Sequence, residues 1–187
     1  MSAGPKKPND PDDRIPGEHG AASEPGTFRI ERILPGSIER VWAYLTEPEK
    51  RKKWFGAGPM KLRVGGRVRL QFRFSELTKE NTPPTKEDSC EIPGRVTKCD
   101  PPRLLSYTWG EGPDASEVAF ELTPRGNSVL LVITHRRLGD PGTMISVASG
   151  WHTHLDILED CFAGRTPRPF WATKARMERE YGKQFAS

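Results

Sequence analysis

Apolar residues in this chain alternate one by one over most of its length and then change to a helical period. Thr27 to Leu34 (TFRIERIL) sets Phe28 and Ile30 between charged residues, which predicts a strand that Pro35-Gly36 ends. Ser37 to Leu45 brings Ile38, Val41, Trp42 and Leu45 onto one face of a short helix. Thr46-Glu47-Pro48-Glu49 has the form of a capping box with Thr46 as N-cap, so a second short helix is expected through Lys53, closed by Trp54 and Phe55. The sharpest alternation is Val68 to Phe74 (VRLQFRF), where Val68, Leu70, Phe72 and Phe74 oppose Arg69, Gln71 and Arg73. One face of that strand must be buried and the other wet. Gly65-Gly66 before it signals a hairpin turn whose other arm is Leu62 to Val64.

Glu76 to Ser89 is polar, contains Pro83-Pro84 and is expected to be a loop. Four more strands follow: Cys90 to Cys99, Leu104 to Trp109 with Leu105, Tyr107 and Trp109 on one side, Glu117 to Thr123 with Val118, Phe120 and Leu122 together, and Val129 to His135. The last is apolar on both faces and suits the centre of a sheet. Then the period changes. In Thr143 to Gly164, Met144, Val147, Ala148, Trp151, Leu155, Leu158 and Phe162 recur every three or four residues, forming one stripe at about 100° per residue, from which Ser149, Thr153, Glu159 and Asp160 fall away. Asp140 is placed as N-cap with Pro141 just inside, and Gly164 marks the end. The reading is α+β: about six antiparallel strands in a curved sheet, two short helices after strand one, and one long C-terminal helix laid across the sheet.

Composition refines the boundaries. Residues 1–26 hold five prolines and four glycines with little to bury, so they are expected to be a disordered tail. Residues 27–164 form the domain, and 165–187, with Phe170, Trp171, Met177, Tyr181 and Phe185 among charges, are expected to dock on it as an amphipathic helix. The chain carries a net +4; the first 26 residues carry −2, which makes the remainder mildly basic. No apolar run reaches the roughly 20 residues that span a bilayer, and a cytoplasmic location is expected. Cys90, Cys99 and Cys161 show no CxxC spacing, so reduced thiols and no zinc are expected.

The order of elements, together with RILPGSIERVWAYLTEPEKRKKWF, VGGRVRLQF, PPRLLSYTW, FELTPRGNSVLLVITHRRL and SGWHTHLDILE, resembles bacterial proteins related to the C-terminal domain of the activator of the Hsp90 ATPase. These belong to the START-like helix-grip (SRPBCC, Bet v 1-like) superfamily. The resemblance runs from about Phe28 to Phe162, and the PFW...ARMEREY stretch is similar to an extension in a subset of them. It implies a sheet gripping the long helix around a cavity that in the superfamily often holds lipids, sterols, polyketides or other apolar compounds. It does not extend to the separate chaperone-contacting N-terminal domain of the eukaryotic co-chaperone.

The candidate chemistry is aromatic. Trp42, Trp54, Phe55, Phe72, Trp109, Phe120 and Trp151, with Leu155 and Leu158, are the expected walls of an apolar ligand site, and Tyr107, His135 and His154 its polar groups. His152 and His154 are about 200° apart on a helix and cannot share a metal. Ser149, His152 and Asp156 make a poor triad on one helix, so no catalytic set is evident, and no cofactor or metal is expected. Gly150 would permit close approach at the helix centre or mark a bend. Arg51-Lys52-Lys53 and Arg63, Arg67, Arg69 and Arg73 are read as a solvated face, with no nucleic-acid partner. The expected function is non-covalent binding of an apolar or amphipathic small molecule. The alternatives are a protein-interaction module with a chaperone or other protein partner, and a cyclase- or hydrolase-type enzyme; a homodimer is left open.

Overall fold

The computed structural model describes residues 19–79 and 88–186, and the loop expected around Pro83-Pro84 lies largely outside them, as do residues 1–18 of the expected tail. The strands are β1 (Ala21–Glu24), β2 (Thr27–Pro35), β3 (Arg67–Arg73), β4 (Ser89–Asp100), β5 (Leu104–Trp109), β6 (Ser116–Arg125) and β7 (Ser128–Arg136). The helices are α1 (Ile38–Thr46), α2 (Pro48–Arg51), α3 (Pro141–Phe162) and α4 (Phe170–Phe185). All strand pairs are antiparallel, in the order β1-β2-β7-β6-β5-β4-β3. The architecture is the helix-grip fold, with seven strands where about six were expected.

The extra strand is β1, inside the stretch read as disordered. Its sequence, AASE, has no alternating apolar face, and all four residues are exposed; what holds it is the β2 ladder on one side and α4 nearby. The Tyr181 hydroxyl accepts from Gly20 N at 2.8 Å, and Gln184 Nε2 donates to Gly20 O at 3.0 Å.

Pairing register sets the inner face. Phe28, His135, Val118 and Tyr107 lie side by side across β2, β7, β6 and β5, and all four are buried. On β3 the burial alternates strictly, with Val68, Leu70 and Phe72 inward. The expected arm Leu62 to Val64 forms no strand: Leu62 is 40% and Val64 65% exposed, and bridges from Ala57 to Gln71 and Met60 to Val68 take its place beside β3. Gly58 explains the path. It has φ +93°, and a Cβ there would stand 2.1 Å from Arg69 O, so only glycine lets this segment run against β3.

Ser37 caps α1, accepting from Arg40 N at 3.3 Å. Thr46 is not the cap of α2. Its hydroxyl donates to Trp42 O at 2.8 Å as the last residue of α1, Glu47 takes the N-cap position with no side-chain bond, and α2 ends at Arg51. Pro48 dictates this, since the residue before a proline is pushed out of the helical region, and Glu47, at φ −78° and ψ 123°, is extended and can only flank α2.

Asp140 caps α3, accepting from Thr143 N at 3.0 Å. The helix is buried on two sides. Trp151, Leu155 and Leu158 belong to the core, but Ser149, Thr153 and Asp160, read as lying off the stripe, are buried as well. The cause is α4, whose Phe170, Thr173, Met177 and Tyr181 recur at helical spacing and are buried in turn. The hydroxyls of Ser149 and Thr153 donate back to Ser146 O and Ser149 O, at 2.9 and 2.7 Å, and so need no partner on α4.

Two buried arginines knit these layers. Arg32 faces inward from β2, with Nη2 at 3.2 Å from Asp156 Oδ1; its Nε is 3.1 Å from Glu159 Oε1 at an angle that makes no hydrogen bond. Arg51, read as part of a solvated basic face, is 1% exposed. Its guanidinium donates to Thr46 O at 3.1 Å and Gly56 O at 2.8 Å, and to Gly58 O, tying α1 to the turn after α2. Burial lowers its pKa, against a smaller opposing effect of Tyr107. The outer arginines of β3 do face solvent, and Arg69 pairs with Glu91 at 2.8 Å.

Candidate functional site

A cavity of about 340 Å³ opens between the inner face of β3, β4 and β5, the first half of α3 and the start of α4. That volume is near the lower end of the range for small-molecule sites. Of the twelve residues expected at the site, Phe55, Phe72, Trp109, His135, Trp151 and His154 line it. The turn after α2, held by Arg51, delivers Phe55; β3 and β5 deliver Phe72 and Trp109; and Trp151 and His154 stand one helical turn apart on α3.

The other six do not line it. Trp54 and Tyr107 are fully enclosed, Trp54 donating from Nε1 to Tyr44 O at 2.9 Å. Tyr107 stacks on Phe120 at 5.6 Å, and burial pushes its hydroxyl pKa up strongly, with Arg51 opposing. Leu155 and Leu158 lie in the core, and Trp42 is half-buried against it. They are part of the frame around the cavity and not its surface.

Sequence reasoning missed Phe74, Ile92, Cys90, Phe170, Trp171 and Lys174. Strict alternation puts Phe74 in the strand; it begins a 3-10 turn instead. There it stacks on Phe170 at 4.7 Å and meets Trp171 at 5.4 Å. The signal for Phe170 and Trp171 was present, since both were read on a docked helix, but nothing along the chain says which hollow a docked helix covers.

Gly150 also lines the cavity, and a Cβ built on it would meet nothing within 4 Å. It therefore does not serve close approach. A glycine within a helix costs about 1 kcal/mol relative to alanine, and here the missing side chain leaves open space.

The two cavity histidines differ in what they leave free. His135 is closed: Trp151 Nε1 donates to its Nδ1 at 3.1 Å, which places the proton on Nε2, 2.9 Å from Ser116 Oγ. His154 is open at one nitrogen. Its Nδ1 is 2.7 Å from Trp54 O, and because a carbonyl only accepts, that nitrogen carries the proton and Nε2 a bare lone pair. Burial brings His135 to about 4, with Arg137 adding to it. Burial likewise brings His154 to about 4, against the Trp54 hydrogen bond and with Lys174 adding to the fall. Both rings are neutral at physiological pH.

His152 points the other way, to Tyr181 at 2.9 Å, and so does not share the cavity with His154. Ser149, His152 and Asp156 form no relay, because the Ser149 hydroxyl is spent on Ser146 O. Among the described residues no group of three His, Cys, Asp or Glu could hold a metal ion. Cys90, Cys99 and Cys161 are unpaired thiols.

A family model described as Activator of Hsp90 ATPase homolog 1-like protein matches residues 35–163. The chain belongs to that family. This Activator of Hsp90 ATPase homolog 1-like protein is similar to a Bordetella parapertussis protein solved by NMR in solution, with 40% identity over 93% of this chain and 94% of that one and a TM-score of 0.75. CalU16 from Micromonospora echinospora is 26% identical over 86% of each chain, with a TM-score of 0.63. DynU16, from the dynemicin biosynthetic locus, is 22% identical over 76% of this chain and 49% of its own, with a TM-score of 0.59, and shares the fold. No curated protein matches. The family match ends at residue 163, so the Activator of Hsp90 ATPase homolog 1-like unit does not include Phe170, Trp171 and Lys174, and α4 walls the cavity from outside it. No described helix is long and apolar enough to cross a membrane.

Proposed function

We propose that this protein binds an apolar, ring-containing small molecule without covalent chemistry, in the cavity between sheet, α3 and α4. The observation that carries the reading is the lining: aromatic rings from the turn after α2, β3, β5, α3 and α4 converge on a hollow that the described side chains do not fill. Phe55 stacks on Trp151 at 4.9 Å and meets Phe72 edge-on at 4.8 Å, so the walls brace one another and the space keeps its shape without a guest. Removing apolar area from water supplies the affinity, at about 25 cal/mol per Å² before the costs of association.

Gly150 provides the test. Gly150→Leu places a side chain in open space, so the protein is expected to fold while binding of N-phenyl-1-naphthylamine, followed by its fluorescence, is abolished. Binding as tight as in the natural chain would remove the cavity as the site. Native mass spectrometry of the protein purified from its own host then reads the mass of any retained guest. A protein-docking role is the second reading, favoured by Leu62 and Val64, the exposed large hydrophobic residues of the described chain; co-purification lost on changing both to serine would support it.

A further inference from the structure

Every lining ring around His154 is a hydrocarbon wall. Phe55 at 4.9 Å, Phe170 at 5.2 Å, Phe72 at 5.8 Å and Phe74 at 6.2 Å surround the imidazole, and none can donate a conventional hydrogen bond to it. The ring is 5% exposed and fixed through Nδ1 to the Trp54 carbonyl. Its Nε2 has no hydrogen-bond partner among the described residues, yet the side chain lines the cavity. That lone pair is not sealed off: the buried side-chain atom without a partner among the described residues is Arg32 Nε, so His154 Nε2 is reached through the cavity, and a guest that displaces water from it must donate in turn or leave it unpaired. His135 offers no such acceptor, because Trp151 and Ser116 engage both its nitrogens. Lys174 stands nearer the solvent, engaged by Glu178.

Resting on the cavity reading above, we infer that His154 Nε2 is the cavity's specificity-determining acceptor, and that the site selects aromatic ligands bearing a neutral hydroxyl or N–H donor. A ligand whose only polar group at that depth is an acceptor, such as an ether or a ketone, meets a second lone pair there. A ligand carboxylate meets the same lone pair with a full negative charge. The guest is therefore oriented: its donor points inward to His154, and any acidic group lies outward toward Lys174.

Isothermal titration calorimetry with 2-naphthol, naphthalene and 2-methoxynaphthalene near neutral pH tests this. The expected result is that 2-naphthol binds about fivefold to tenfold tighter than either donor-free probe, the size of one neutral hydrogen bond. In His154→Phe, which keeps a ring in place, that preference is expected to fall to about onefold. Because this variant also takes the donor from Trp54 O, a second measurement uses the unaltered protein: the ¹⁵N resonance of His154 Nε2 is expected to move with 2-naphthol and stay with naphthalene, while those of His135 hold. Equal affinity for the three probes would overturn the role of His154 and leave the cavity reading standing. A preference for 2-naphthol that persists in His154→Phe, or an Nε2 resonance that ignores it, would also overturn it. Failure of all three probes to bind would remove the cavity reading, and this inference with it.

Discussion

Arg51 shows how far one side chain can be misread along the chain. In KRKKW it sits among cations beside Glu49 and reads as solvated, yet the fold turns it inward, where it donates to the carbonyls of Thr46, Gly56 and Gly58. Replacing it removes a donor set and not merely a charge. Arg51→Met is expected to destabilise the protein by about 3 kcal/mol or more in urea denaturation, since several buried acceptors lose their partner at once. A loss below about 1 kcal/mol would mean that the turn carrying Trp54 and Phe55 holds itself. Gly150 makes the converse case: Gly150→Ala is expected to raise the unfolding midpoint, corresponding to about 0.5–1 kcal/mol, because a methyl there meets nothing and the helix gains propensity. Unchanged or lower stability would show that the backbone at that position needs glycine for another reason.

Among the elements, strands were legible wherever alternation was strict. β3, β5 and β6 lie within a residue or two of the expected bounds because every second residue faces the core and periodicity records that directly, and β7 does so because its apolar run, buried on both faces toward its end, is bounded by polar residues. β1 was illegible because a four-residue edge strand with no buried side chain leaves no periodic trace. α3 was found but half understood. Its polar residues suggested a wet side, whereas Asp156 and Asp160 are polar because Arg168 approaches them, at 3.0 Å and 2.9 Å. That partner lies beyond the helix, and spacing within one element cannot reveal it. Half of the expected cavity residues sit elsewhere for a similar reason: an inward-facing aromatic residue can end in the core or on a cavity wall, and only the packing of α4 decides which. Tyr181 is where α4, α3 and β1 meet. Tyr181→Phe removes the acceptor for Gly20 N and the partner of His152, so it is expected to cost about 1–3 kcal/mol and to speed amide exchange at Gly20. Exchange at Gly20 unaltered by the change would show that β1 is held by its ladder to β2 alone.

For the whole molecule the buried histidines set the response to acid. His135, His152 and His154 all sit at about 4, burial being the first cause in each, and for His152 the Asp156 carboxylate opposes it. The folded state therefore binds fewer protons than the unfolded chain between about pH 4 and 6.5. Stability rises with pH across that window, by up to about 1.4 kcal/mol per unit for each histidine. Asp160 acts in the same direction at lower pH. Burial alone would raise it, but hydrogen bonds from Arg168 and Arg165 hold it at about 2, so its contribution is present above about 3.8 and is lost as pH falls toward 2. The urea midpoint is expected to be flat above about pH 7 and to fall steeply from pH 6.5 to 4.5. His152→Gln is expected to lessen the slope by about a third. A midpoint that does not move over that range would show the three rings to be protonated within the fold.

The helix that closes the cavity is the last one in the described chain, about a hundred residues after Phe72 and sixty after Trp109 in sequence. During synthesis the strands and the long helix leave the ribosome while the chamber is still roofless. On the proposed reading, a guest meets a closed chamber only once Phe170 and Trp171 have emerged.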